Sequence, residues 1–268
     1  VSKLLPRLSK NETDILSPRI LLLEVYQGEI SAKEAPFFTI ILEKEEVNSE
    51  GDFGLDSLTI SYRVLDRCAT GVGHGWFGAS YDRRAKRLSI TSDSMSRGAV
   101  FLDPEEIRGY RIGTYIMNQI ILWAKHNYSS AILDTITLCQ GQANLENKER
   151  RNRFYEQFGI KFNYSNDKKE EGKSNKTFIN QLTTVETWKK NIKEVEITDY
   201  LIEKKETLKN QKQKIFEILG GNKMLQKEID YYLKENIFQF ILRKIKYKQK
   251  IIIEVGIILF FIFLIFIK

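Results

Sequence analysis

Residues 98–125, GAVFLDPEEIRGYRIGTYIMNQIILWAK, place glycines and arginines where the hydrophobic pattern changes. Ala99, Val100, Phe101 and Leu102 read as a short buried strand that Asp103-Pro104 breaks. A polar loop with Arg108, Gly109, Tyr110 and Arg111 follows. An amphipathic helix is expected to open at about Gly113-Thr114, with Ile112, Ile116, Met117, Ile120 and Trp123 at helical spacing. A strand that runs through such a turn into a helix points several backbone N–H groups at one spot with the helix dipole behind them, which is an anion site. Each favourable charge there is worth about 0.3–1 kcal/mol, more when partly buried. Arg108 and Arg111 would add charge-assisted bonds. An ordinary turn with exposed arginines fits the same residues.

Arg108-Gly109-Tyr110-Arg111-Ile112-Gly113-Thr114 resembles the acyl-CoA signature of GNAT acetyltransferases, Q/R-x-x-G-x-G/A. Arg108 and Gly113 fit it, Arg111 stands where the first glycine is usual, and one extra residue separates Pro104 from Arg108. Further on, Asn152-Arg153-Phe154-Tyr155-Glu156-Gln157-Phe158-Gly159-Ile160 resembles the family's second signature, an aromatic-Tyr-x-x-x-Gly-apolar run. The resemblance covers roughly residues 57–180 and implies transfer of an acyl group, usually acetyl, directly from CoA to an amine with no metal. It implies that the amides of residues 109–114 hold the CoA pyrophosphate, helped by Arg108 and Arg111. Backbone groups of Phe101 and Leu102 would hold the pantetheine and polarise the thioester carbonyl. Tyr155 matches the tyrosine that donates a proton to the departing thiolate, and Asn147 the helix-start asparagine that contacts the pantetheine arm. Asp103, Glu105 and Asp134 are candidate bases by position, with none singled out. Arg150, Arg151 and Arg153 read as a solvated face or as adenosine-phosphate contacts.

The elements that must position these residues follow an α+β order. Residues 19–29 and 32–47 are rich in apolar side chains and are read as helices, broken at Pro36; 47–56 is a loop. Residues 57–66 alternate, with Leu58, Ile60, Tyr62 and Val64 on one face, and strands at 73–82 and 86–92 follow around Arg83-Arg84. After the first helix come a strand at 131–138, a polar helix at 144–158, and a hairpin with arms at 161–164 and 176–179 around a solvated loop. The expected fold is GNAT-like: a mixed, mostly antiparallel sheet flanked by helices, then a helical tail and one transmembrane helix. The expected domains are 1–185, 186–250 and 251–267.

Charge separates the parts. Residues 187–268 hold 17 Lys+Arg against 10 Asp+Glu, which accounts for the whole net charge of +7, so the basic balance is no sign of nucleic-acid binding by the enzyme-like part. Cys68 and Cys139 make no disulfide framework and read as reduced thiols, and His74 and His126 are too scattered for a metal site. No amino-terminal signal is visible in residues 1–20. In the tail, Ile197, Leu201, Leu208, Ile215 and Ile218 or Leu219 form a sparse stripe that Lys204 and Gln211 interrupt. It reads as a solvated amphipathic helix rather than a continuous coiled coil, with self-association through the tail left open. Gly220-Gly221-Asn222 should end it, and a second helix, 223–246, should carry Leu225, Ile229, Leu233, Ile237 and Ile241 on one side. The run 251–267 reads as a tail anchor. The basic cluster Arg243, Lys244, Lys246, Lys248 and Lys250 would keep everything before it on the cytoplasmic side. The expectation is thus a membrane-tethered GNAT-type N-acetyltransferase using acetyl-CoA on an unidentified amine. The alternative is a catalytically silent, membrane-attached GNAT-fold interaction module working through residues 186–246.

Overall fold

The computed structural model describes residues 2–3, 19–31, 34–66, 73–95, 98, 100, 102–143 and 147–266, without the side chains of 2–3, 235 and 260–266. Strands β1 (Ser2–Lys3), β2 (Ile20–Val25), β3 (Phe38–Asn48), β4 (Leu55–Val64), β5 (His74–Asp82) and β6 (Arg87–Ser89) precede helix α1 (Ile112–Tyr128). Then come β7 (Ile132–Leu133), β8 (Thr137–Leu138), helix α2 (Asn147–Glu156), β9 (Phe162–Tyr164), β10 (Gly172–Ser174), β11 (Ile192–Val195) and helix α3 (Ile197–Phe266). One sheet runs β11-β2-β3-β4-β5-β6-β7 with β1 beside β3, and it is antiparallel except for the β6–β7 pair. A second, smaller sheet runs β8-β10-β9. The fold is α+β.

Period-two burial makes the strands. Leu58, Ile60, Tyr62 and Val64 all point into the core, as their alternation predicts. On β3, Phe38, Ile40, Leu42 and Lys44 alternate inward, and the buried Lys44 ammonium donates to Gln119 Oε1 of α1 at 3.1 Å. Ile112, Ile116, Met117, Ile120 and Trp123 of α1 are fully buried in the same core, and Trp123 Nε1 donates to Glu46 Oε1 on β3 at 2.8 Å.

Several expected elements are corrected. The helices read at 19–29 and 32–47 are strands β2 and β3. Leu21, Leu22, Leu23 and Val25 are all buried, so β2 is covered on both faces and shows no alternation by which to know it. The strand expected at 99–102 is not formed at Val100 or Leu102, and residues 99 and 101 lie outside the described residues. The strand at 131–138 divides into β7 and β8, which belong to different sheets. The last hairpin takes its second arm from Gly172–Ser174, inside the stretch read as a loop, because Gly172 lets Asn163 O and Tyr164 approach too closely for any Cβ. Residues 1–202 form one compact unit and 203–268 another; β11, pairing with β2, and the buried Trp188 and Ile192 belong to the first.

In the second unit α3 passes straight through Gly220, Gly221 and Asn222, where a terminator was expected. A glycine inside a helix costs about 1 kcal/mol and does not forbid it. The transmembrane helix expected at 251–267, and with it the membrane localisation and the tail anchor, is also corrected: among the described residues no helix is long and apolar enough to cross a membrane. The side chains of residues 260–267 lie outside the described residues. Residues 251–259 follow Arg243, Lys244, Lys246, Lys248 and Lys250 on the same helix.

One buried carboxylate ties three parts of the body together. Asp56 accepts from Arg83 Nε at 2.7 Å and Nη2 at 3.0 Å, from the Ser49 N–H at 2.8 Å and from Tyr128 Oη at 2.9 Å. Burial works to raise its pKa, but the bonds from Arg83, Ser49 and Tyr128 outweigh it and hold the group below 3.8. A lowered folded-state value contributes stability above the unfolded pKa and loses it as pH falls through the folded one. Asp56→Asn should therefore cost about 2–4 kcal/mol in urea unfolding at neutral pH, Arg83 being partly exposed. The gap to the unsubstituted chain should shrink as the pH drops below about 4; a gap that stays constant would refute this role.

Candidate functional site

Helix α1 begins without a cap. Arg111 precedes it in the left-handed region (φ 63, ψ 12) and supplies no side-chain cap bond. The first helical bond is Tyr115 N–H to Arg111 O at 2.9 Å. Among the described residues, the N–H groups of Ile112, Gly113 and Thr114 have no partner. No acidic side chain stands in the first turn to compete for them. Gly109 (φ 91) makes the turn, in a conformation that glycine adopts at no steric cost. Three aligned donors, a dipole and no competing carboxylate are what a phosphate oxygen needs.

Arg108 does not face this end as a free cation. Its Nε donates to Leu102 O at 2.7 Å, Nη2 to Asp103 Oδ1 at 2.7 Å, and Nη1 to Glu105 Oε1. It braces the loop, with the half-buried Leu102 as one anchor. Arg111 is held as well: its Nη1 donates to Asn191 Oδ1 at 2.8 Å. Asn191 is buried, and its Nδ2 donates to Tyr110 O at 2.9 Å and Tyr26 O at 3.4 Å. The Tyr110 ring stacks on Phe37, with centroids 5.5 Å apart, and meets Phe38 edge-on. Next to Asn191, Tyr115 Oη donates to Glu194 Oε1 at 2.7 Å. Nothing in the sequence around Asn191 marks it, because its role depends on pairing β11 with β2.

Helix α2 closes on the same end of α1. A Cβ added to Gly113 would lie 3.5 Å from Phe154 Cε2 and 3.9 Å from Phe77 Cζ, ordinary contact distances that put both aromatic rings beside the helix. Gln157 Nε2 donates to Thr114 Oγ1 at 3.3 Å. In sequence Tyr155 lies between Phe154 and Gln157; it is buried, with its ring edge-on to Phe154 and Phe162. Among the described residues its hydroxyl has no hydrogen-bond partner. Burial pushes its pKa up to about 12, against the opposing charge of Arg151. Gly159 (φ 83) ends this segment and Ile160 is fully buried, matching the last positions of the run.

The remaining candidates serve the scaffold. Asn147 Nδ2 donates to Gln142 O at 2.9 Å, and its Oδ1 accepts from Arg150 Nη2 at 3.0 Å. Arg151 donates to Cys139 O and Glu170 O, each at 2.8 Å, and so ties β8's exit to the hairpin loop; Arg150 and Arg153 are exposed. All three candidate bases are paired with arginine, Asp103 and Glu105 with Arg108 and Asp134 with Arg87. Phe101 lies outside the described residues.

The strands part beside this end of the helix. β6 and β7 pair only through Arg87 and Leu88, and Asp134 N–H adds a bond to Leu88 O at 2.7 Å. The chain then leaves for the small sheet, where Ile136 O accepts from Ser174 N–H at 2.9 Å. Phe77, beside Gly113, lies on β5 beyond Ser80, the last residue paired with β6. The head of α1 therefore sits at the level where the two sheets separate.

No protein-family model matches the chain, and no curated protein matches it in sequence.

If Asn191 holds the turn, Asn191→Ala leaves the Tyr110 carbonyl and the Arg111 guanidinium without their partner, at a cost of about 1–3 kcal/mol. Amide exchange should speed up selectively at residues 109–115 while β3 and β4 keep their protection. Uniform acceleration across the body would mean that Asn191 supports the fold in general and not the turn.

Proposed function

We propose that the chain is an acyl-CoA-dependent N-acyltransferase that moves an acyl group, in the simplest case acetyl from acetyl-CoA, to an amine. The observation that carries this reading is the meeting of two segments far apart in sequence. The uncapped head of α1 is touched by Phe154 at Gly113 and by Gln157 at Thr114, on either side of Tyr155. A GNAT-type arrangement brings the segment that carries the proton donor to an anion-binding helix end, and Phe154 and Gln157 are the neighbours of Tyr155 that make this contact.

The free N–H groups of Ile112, Gly113 and Thr114 suit the pyrophosphate of CoA, with Gly109 and Tyr110 shaping the approach. Arg108 and Arg111 contribute through the loop that they hold rather than as direct ligands. Acyl-CoA supplies an activated thioester; the amine nitrogen attacks its carbonyl, the C–S bond breaks, and the thiolate takes a proton. Tyr155 is the donor for that proton, and its raised pKa keeps it protonated through the neutral range. The amine's own proton leaves through water, since Asp103, Glu105 and Asp134 are engaged with arginines.

Calorimetric titration of acetyl-CoA into the full chain tests the site. Gly113→Glu is the informative variant, since a Cβ fits there at ordinary contact distance while the carboxylate would meet the helix-end donors. Micromolar binding is expected for the unsubstituted chain, weakened ~100-fold or more in Gly113→Glu. Tyr155→Phe should keep binding while turnover with an accepted amine falls ~100-fold. Because the Tyr155 pKa is raised to about 12, its ionisation should produce no alkaline limb in the rate profile below about pH 11. A folded chain that ignores acetyl-CoA would discard the enzyme and leave the interaction module.

A further inference from the structure

Because α3 continues through the glycines, the two halves of its apolar stripe share one phase. Leu208, Ile215, Asn222, Ile229 and Asn236 recur every seven residues, and Ile218, Leu225 and Tyr232 recur at the same period, three residues after Ile215, Asn222 and Ile229. Every described side chain from Glu203 to Leu259 is exposed, and the six apolar members of these two series are each 51–63% exposed. A helix with such a face requires a cover. We propose that residues 208–236 form a parallel, in-register, two-stranded coiled coil with a second copy of this chain.

A strict seven-residue spacing fits a left-handed supercoil, which keeps the stripe turned toward a partner helix. The two asparagines identify that partner. A buried Asn amide needs a donor and an acceptor opposite it. In a parallel, in-register pair of identical helices Asn222 meets Asn222 and Asn236 meets Asn236, so both are satisfied. An antiparallel pair that sets Asn236 against Gln211 leaves Asn222 against Leu225. The flanking positions agree. Thr207 would face Lys212 of the other copy, Lys214 would face Leu219, Gly221 would face Gln226 and Glu228 would face Leu233, so no like charges meet. Leu219 and Leu233 widen the seam at its edge. Beyond it the same two series place Leu201 and Lys204 before, and Gln239, Arg243 and Lys246 after, so charged residues flank the seam on both sides. The inference rests on α3 alone and not on the acyltransferase reading.

The test is sedimentation of the full chain at tens of micromolar, with Cys68 and Cys139 replaced by serine. A species of twice the 31.3 kDa chain mass is expected. Ile229→Glu should raise the dissociation constant ~100-fold or more while leaving the far-ultraviolet spectrum of the body intact. In the same background, Leu225→Cys should cross-link to itself on mild oxidation, because identical seam positions face one another only in a parallel register. Asn222→Val should release oligomers larger than the dimer, since a polar residue at this position selects two strands. A monomer, a dimer indifferent to Ile229→Glu, or cross-linking between Leu208→Cys and Asn236→Cys chains without Leu225→Cys self-linking would each overturn the proposal.

Discussion

The candidate site depends on three backbone N–H groups at the head of α1 that, among the described residues, have no partner. Unpaired donors beside a core are costly, and most helices cap them. Here Arg111 occupies the capping position in a left-handed conformation, where a non-glycine residue is disfavoured. The turn is held by one partner from far along the chain, Asn191, which grips the Tyr110 carbonyl and the Arg111 guanidinium, and by local bonds from Arg108 to Leu102, Asp103 and Glu105. These bonds keep a local conformation that the local sequence would not choose. Backbone strain of this kind is found where a binding or catalytic surface has to be preformed.

The same bonds change what the arginines are for. In a gapped Gly-Arg loop, the natural first assignment for a guanidinium is a phosphate. The structure gives each one an intramolecular acceptor instead, so in the proposed site the donors to an anion are main-chain N–H groups. A helix end is rigid and needs no side-chain reorganisation to meet an anion, so it can serve as a binding surface before any ligand arrives. Gly113 has its own place in this arrangement. Phe154 and Phe77 lie at ordinary contact distance from its Cβ position, so the second segment packs against the first at this point.

How much of this could be read from the sequence follows from how local each signal was. The burial of Ile112, Ile116, Met117, Ile120 and Trp123, and the alternation of Leu58, Ile60, Tyr62 and Val64, depend on periodicity within a few residues, and both were legible. β2 was not, because a strand covered on both faces carries no alternation and resembles a piece of buried helix. The two segments of the site were visible one at a time, but the Gln157–Thr114 bond was not, nor was Asn191, whose three partners lie up to 165 positions away. Such contacts depend on strand pairing, which no short window of residues encodes. The terminal run was read from its apolarity together with the basic cluster before it, whereas among the described residues no helix is long and apolar enough to cross a membrane.

Gly220 and Gly221 show how one local judgement carries a large consequence. Taken as a terminator, they make Leu208 and Ile215 one short stripe, and Leu225 and Ile229 another with an unrelated phase. Taken as helix interior, at a cost of about 1 kcal/mol each, they make Asn222 the centre of one seven-residue series instead of a cap. Propensity is a weak preference summed over many residues, and good helix formers on both sides outweigh two poor ones. An asparagine that looked like the end of a helix then becomes the residue that decides what the helix can pair with. An amide at a seam position disfavours an apolar partner and is satisfied by its own equal, so the residue that weakens the seam most also narrows its choice of partner to a second copy of itself.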